Sequence, residues 1–252
     1  MRCAVIMALV AVLASTPACA MFDTSTEIET GNSEKALAKL YDRISGVTVK
    51  VLVMIEWEGT VVSKHGTGVI VGRRGNVYAV VTNNHVVETS DICLTPGRVR
   101  YNVEHPVAGN ISATVLAKDE DCDLACLTFE YSRSLPVVKY VPTEPPLLTD
   151  VYHYGFGGLW YKGAFATKGV FSSKSRVWTA LPKAWTVTCN VWYGCSGGGV
   201  FTGRGRLMGV ISVIDIERQV CLPWLVGVVP YSELQSFMDN TGFFSETIAK
   251  GD

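Results

Sequence analysis

Beyond its first twenty residues the sequence holds no apolar run long enough to cross a bilayer as a helix, so no spanning helix is expected there. It has no basic run and no arginine-rich segment. With 22 Lys and Arg against 23 Asp and Glu, a formal charge of −1 and a pI near 6.4, it lacks the electrostatic footprint of a nucleic-acid binder, and no nucleic-acid partner is expected. None of the eight cysteines forms a C-x-x-C pair, which argues against a structural zinc site, and no metal or other cofactor is expected. Histidine is scarce: His65, His85, His105 and His153 are the only candidates for chemistry that needs an imidazole. There is no internal repeat or low-complexity tract. What the sequence does have is 252 residues at 48% apolar composition, ample material for a sizeable core.

Residues 21–32 are polar and read as a flexible leader. A helix then starts at Ser33-Glu34, with Ala36, Leu37, Leu40, Tyr41 and Ile44 at helical spacing, Arg43 in the last turn and Gly46 as the stop. From Val47 the period becomes that of strands: Val47 to Trp57, a Glu58-Gly59 turn, Thr60 to His65, Gly68 to Val71, an Arg74-Gly75-Asn76 turn, and Val77 to Val81. Short apolar runs follow at Val99 to Val103, Ile111 to Ala117 and Leu124 to Phe129. Residues 131–150 contain Pro136, Pro142, Pro145 and Pro146, which suits a linker. Further strands are expected at Val151 to Tyr154, Ala166 to Phe171, Val177 to Ala180, Trp185 to Val191, Leu207 to Val213 and Trp224 to Val229, with a closing helix from Ser232 to Asp239.

The chemistry gathers around Gly194-Cys195-Ser196-Gly197-Gly198. A serine between glycines can occupy a sharp turn with its hydroxyl exposed and backbone N–H groups pointing inward, as an acyl-transfer nucleophile and its oxyanion hole require. An unactivated hydroxyl is a poor nucleophile, so such a site also needs a histidine base and a carboxylate to orient it. His85, in Thr82-Asn83-Asn84-His85-Val86-Val87, follows the Val77–Val81 run and is expected at a strand end where a loop presents it. Asp123 heads the apolar segment Asp123-Leu124-Ala125-Cys126-Leu127; the neighbouring Asp119, Glu120 and Asp121 read as a solvated acidic loop. Of the other histidines, His65 sits beside Gly66 in an expected turn, His105 precedes Pro106 in a loop and His153 lies in a strand, and all three read as structural or solvated.

Taken in order, Gly66-Thr67-Gly68-Val69-Ile70-Val71, the Val81-Thr82-Asn83-Asn84-His85 segment, Asp123-Leu124-Ala125 and Gly194-Cys195-Ser196-Gly197-Gly198 resemble the successive motifs of HtrA/Deg-type serine proteases, members of the trypsin-like group. The resemblance continues through Val151–Gly157, Thr167–Ser172, Leu207–Val210 and Gly227–Pro230, and spans roughly residues 35 to 240. It implies an all-β fold of two six-stranded antiparallel β-barrels with short terminal helices. The first barrel would cover residues 47–130 and carry His85 and Asp123; the second, with its helix, would cover 151–240 and carry Ser196.

The resemblance further implies Ser196 as nucleophile, His85 as general base and then acid, Asp123 as the group orienting His85, and an oxyanion hole from the N–H groups of Gly194 and Ser196. The expected activity is a serine endopeptidase acting on protein or peptide substrates. Two positions depart from the family pattern: Cys195 stands where relatives carry asparagine or aspartate, and Tyr193 replaces a basic residue. Cysteine proteases occur on this fold, but their thiol occupies the position that Ser196 holds here. The base of the primary substrate pocket falls near Asn190, with Tyr193 at its rim and Ile211, Ser212 and Val213 along one wall. A neutral floor predicts cutting after neutral, small or aliphatic residues. The rival class is a binding protein that keeps the fold and holds the Cys195 loop collapsed. Many relatives add a peptide-binding PDZ domain, for which this sequence leaves no room after residue 240. Relatives are often trimers, and no segment here reads as a trimer contact, so an oligomer is left open.

The N-terminus carries its own expectation. Arg2, the apolar run Cys3 to Ala14 and the small-residue site Ala18-Cys19-Ala20 read as a signal peptide covering residues 1–20, with lipid attachment at Cys19 as the alternative. The protein is therefore expected to be exported, secreted or periplasmic. Cleavage after Ala20 leaves Cys93, Cys122, Cys126, Cys189, Cys195 and Cys221, whose even number favours disulfides in an oxidising compartment. Six cysteines allow about 15 pairings. The favoured ones are Cys189 with Cys221 and Cys93 with Cys122 or Cys126.

Overall fold

The computed structural model describes residues 24–57, 59–90, 97–158, 163–174, 183–215 and 222–244. The signal-peptide segment, Cys93, Cys221 and the expected strand Val177 to Ala180 lie outside them. The chain divides between Leu37 and Ala38 into two compact units, and all the strands belong to the second.

Six strands build the first barrel: β1 (Thr48–Trp57), β2 (Thr60–Arg74), β3 (Val77–Thr82), β4 (Arg98–His105), β5 (Gly109–Asp119) and β6 (Leu124–Glu130), closed in the order β1-β2-β3-β6-β5-β4. Every pairing is antiparallel, so short turns suffice to connect most neighbours. The period-two alternation of β1 points Val49, Val51, Val53 and Ile55 inward, all with no exposed surface, onto Ile70, Val80, Val103 and Leu127. Fully burying each such side chain stabilises the fold by about 1.5–3 kcal/mol.

The second barrel is the ring β8 (Asp150–Gly155), β9 (Phe165–Ser173), β10 (Trp185–Val187), β13 (Leu222–Pro230), β12 (Arg206–Asp215) and β11 (Gly199–Thr202), closed by the pairing of β11 with β12. Its interior holds Val151, Phe171, Val187, Val200, Met208 and Val228. A short strand inside the proline-rich linker, β7 (Lys139–Tyr140), adds to β12 in parallel. A third buried cluster joins the two barrels: Val69, Val71, Val81 and Cys126 from the first meet Phe201, Leu207 and Val210 from the second. The end of helix α1 (Thr24–Ser45) contributes Leu40 and Ile44 to it, and helix α3 (Tyr231–Asn240) contributes Leu234, Phe237 and Met238.

Three local expectations need correction. Helix α1 begins at Thr24 rather than Ser33, because residues 24–32 lack the apolar spacing by which the start was placed while the backbone hydrogen bonding runs on. The segments Thr60–His65 and Gly68–Val71 form one strand, β2, whose register against β1 is unbroken from Trp57↔Thr60 to Thr48↔Val69. Gly66, expected in a turn between them, is paired inside the strand opposite Val51. His65 is therefore a strand residue and not part of a turn.

Candidate active site

His85 is presented by a single helical turn, α2 (Asn84–Val87), which begins directly after β3. Val86 and Val87 sink into the first barrel's core and anchor the turn, which leaves His85 on its open side with a half-exposed ring. Asp123 precedes β6 in a tight turn at φ 51°, a left-handed conformation that aspartate tolerates better than most residues. Its Oδ2 accepts from His85 Nδ1 at 2.8 Å, and its Oδ1 accepts both from Nδ1 at 3.1 Å and from the His85 backbone N–H at 3.0 Å. Asn83, fully buried, donates from Nδ2 to the Asp123 carbonyl at 2.9 Å. A neutral imidazole that donates Nδ1–H to this carboxylate presents Nε2 as an acceptor, which is the tautomer a general base needs.

Across from this pair stands the Gly194–Gly198 turn. Gly194 at φ 95° and Gly197 at φ 81° adopt conformations that side chains resist, and a Cβ on Gly197 would also fall 2.1 Å from the Thr67 carbonyl. The turn is pinned on both sides: Gly197 N–H donates to the Ile211 carbonyl at 2.8 Å, Ile211 N–H donates to the Gly198 carbonyl at 2.9 Å, and Thr67 N–H donates to the Ser196 carbonyl at 2.8 Å. The N–H groups of Gly194 and Ser196 have no acceptor among the described residues. Donors left unpaired in this way are available to a developing oxyanion.

Both halves open into one cleft of about 290 Å³, lined by His85, Ser196, Gly194, Tyr193, His65 and Lys64 among others. Ser196 is half-buried there, and Tyr193 stands exposed at its mouth, edge-on to Trp192. Lys64 donates from Nζ to the His85 carbonyl at 3.1 Å. His65 accompanies the site without joining the His85–Asp123 pair; burial, helped by nearby Lys50, holds its pKa below the usual histidine value.

Asn190, Ile211 and Ser212 are not among the residues that line this cleft. Asn190 is exposed elsewhere, and Ile211 is fully buried with its backbone committed to the nucleophile turn. Ser212 turns instead to Asp123, donating from Oγ to Oδ2 in a short hydrogen bond. The side chain of Val213 lies outside the described residues. His105 and His153 are buried and tied to backbone groups, His105 to the Gly46 carbonyl and to the N–H groups of Val107 and Ala108, His153 to the Gly199 carbonyl.

Cys195 explains how the turn is held without the usual carboxamide or carboxylate. Its thiol is buried against Gly157 and accepts from Trp192 N–H at 3.5 Å, while its own N–H donates to the Trp192 carbonyl at 2.9 Å. Burial pushes the thiol up to about 11, so it stays protonated and out of the cleft at neutral pH. Cys122, Cys126, Cys189 and Cys195 are all free thiols, and the expected partners Cys93 and Cys221 lie outside the described residues. Among the described residues no cluster of three or more His, Cys, Asp or Glu side chains is placed to hold a metal ion.

Sequence reasoning missed Ser212 as a partner of Asp123, and it missed Thr67. Thr67 is fully buried; its Oγ1 donates to the Gly194 carbonyl at 2.7 Å and accepts from Phe156 N–H at 3.0 Å, while its carbonyl accepts from Thr82 Oγ1 at 2.7 Å. The available signal was a polar residue between two glycines in an otherwise apolar strand.

Residues 66–210 match the family model of the trypsin-like peptidase domain. No curated protein matches the sequence significantly. Among solved structures the chain is similar to a crystal structure of the serine endoprotease from Yersinia pestis, with 20% identity and a TM-score of 0.64 over 81% of this chain and 65% of that one. At that identity the likeness establishes the two-barrel fold, and this chain spans just under two thirds of that structure's length.

Proposed function

This chain belongs to the trypsin-like peptidase family, and from that premise we propose that it is an exported serine endopeptidase that cuts peptide bonds through Ser196, His85 and Asp123. The observation that carries the reading is the bidentate hold of Asp123 on His85 Nδ1, at 2.8 and 3.1 Å, in a cleft shared with Ser196.

In this mechanism Ser196 Oγ attacks the carbonyl carbon of the scissile bond while His85 Nε2 takes the hydroxyl proton. Asp123 stabilises the resulting imidazolium, and the unpaired N–H groups of Gly194 and Ser196 bind the oxyanion. His85 then delivers the proton to the leaving nitrogen as the C–N bond breaks. Water, activated by the same Nε2, hydrolyses the acyl-enzyme and restores the serine. Ser212 supports the cycle by donating to Asp123 Oδ2, which helps hold the carboxylate in place against His85. Cleavage after neutral, small or aliphatic residues is supported by the sequence position of Asn190, a neutral residue six before Ser196, and not by the lining of the cleft. The signal-like residues 1–20 support export.

The test is labelling of the mature protein with a fluorophosphonate, locating the adduct by peptide mass spectrometry. The adduct is expected on Ser196 and absent in Ser196→Ala, which should also lose on the order of 10⁶ in turnover. Folded protein that takes no label, or takes it elsewhere, overturns the assignment and favours the binding-protein reading.

A further inference from the structure

Away from the peptidase cleft, a second and larger cleft of about 520 Å³ is lined by Arg43, Lys139, Arg204 and Arg206 over a floor of Val137 and Val138. Four cations line it and no carboxylate does. It is a built feature. The stem of Arg43 lies across Gly205, and its Nη1 donates to the Arg204 carbonyl at 2.5 Å. Arg206 Nη1 donates to the Tyr140 carbonyl at 3.1 Å. The guanidinium groups of Arg43 and Arg206 are thus each fixed by a backbone carbonyl through one of their five N–H groups, with the rest left over.

Charge is concentrated here without internal compensation. The parallel pairing of β7 with β12 sets Arg206 directly opposite Lys139, a like-charged cross-strand pair that disfavours the fold unless an anion intervenes. None of the four cations has a carboxylate partner among the described residues. The nearby carboxylate of Asp150, which lines an adjoining cleft with Arg204 and Arg206, is occupied: it pairs with Lys168 at 2.8 Å. In a chain of net charge −1, four convergent uncompensated cations are a local exception.

We propose that this cleft binds a multivalent phosphate-type anion, a pyrophosphate group free or carried on a small molecule. Arg43 and Arg206 supply planar donor forks that match phosphate oxygens, and Arg204 and Lys139 add charge. The volume lies within the usual range for small-molecule pockets, about 300–1,000 Å³. The site does not depend on the peptidase assignment.

The test is calorimetric titration of the whole chain with sodium pyrophosphate, and separately with inorganic phosphate, at about 0.15 M salt, where loose surface attraction is screened. One saturable site is expected, with pyrophosphate bound at least about tenfold more tightly than phosphate because it engages both forks. Arg206→Gln and Arg43→Gln should each weaken it by about tenfold, and Lys139→Gln, at an exposed position that leaves the fold intact, by a few-fold. Lys168→Gln, a cation outside the cleft, should change nothing. Far-UV circular dichroism checks that each variant is folded. The site is overturned if no saturable binding is seen, if phosphate binds as well as pyrophosphate, if Arg206→Gln and Lys139→Gln both leave binding unchanged, or if Lys168→Gln weakens it equally.

Discussion

At Thr67 a single hydroxyl serves the Phe156 N–H and the Gly194 carbonyl together. Valine matches its shape and leaves both backbone groups buried without a partner, freeing the peptide that follows Gly194 to rotate. Thr67→Val is therefore expected to lower kcat by about 10–100-fold, with KM within about twofold, and Thr67→Ser to restore most of the loss. Steady-state kinetics on a peptide substrate check this; equal kcat in Thr67→Val rules out the positioning role. Asp123→Asn tests the tautomer argument, since an amide can donate to Nδ1 and so favour the wrong imidazole. A fall of about 10⁴ in kcat is expected, with KM nearly unchanged. His153 bears on stability rather than turnover. Buried completely between β8 and β11, with Nδ1 donating to the Gly199 carbonyl, its pKa is lowered by desolvation to about 4 from 6.5. The unfolded chain binds this proton below 6.5 and the folded chain does not until about 4, so the contribution is full above 6.5 and is lost as pH falls through that window. Its size is on the order of 3 kcal/mol. Urea midpoints should drop between pH 7 and pH 4.5, as sampled points on the histidine titration range, and the slope should flatten in His153→Gln; a wild-type midpoint constant over that range refutes the argument.

Elements differ in how far their neighbours could be read from the chain. β1, β3 and β6 show clear apolar runs because both faces or one whole face of each are buried, and their registers agree with those runs. β7 and β11 escaped notice: Lys139–Tyr140 is two residues long, and Gly199–Thr202 follows a run of glycines that reads as a turn. Their pairing energy comes from partner strands, β12 for β7 and β8 as well as β12 for β11, which local periodicity does not show. α2 was hidden for a related reason. Asn84–Val87 is too short to show a period, and it is held by the burial of Val86 and Val87 under the first barrel. α3 was legible because Leu234, Phe237 and Met238 repeat at helical spacing.

The barrels are joined by a shared buried cluster, so truncating a residue there should weaken the whole second unit at once. Leu234, fully buried on α3 within that cluster, is the clean site. Leu234→Ala is expected to cost about 2–5 kcal/mol and to lower the urea midpoints reported by tryptophan fluorescence and by far-UV circular dichroism together. Two separated transitions would mean the barrels unfold independently.

Composition and local pattern by themselves determined the strand-rich class, the positions of most strands, the closing helix and the motifs around His85, Asp123 and Ser196, because alternation and glycine-flanked polar residues are properties of short segments. Only the tertiary structure decided that Ser212 faces Asp123, that Thr67 bridges two backbone segments, that Ile211 is buried, that Cys195 is a buried thiol and that four cations from α1, β7, the turn before β12 and β12 itself line one cleft. Those relations join residues from about 60 to 160 positions apart, and such contacts follow from barrel closure and register, which no local period encodes.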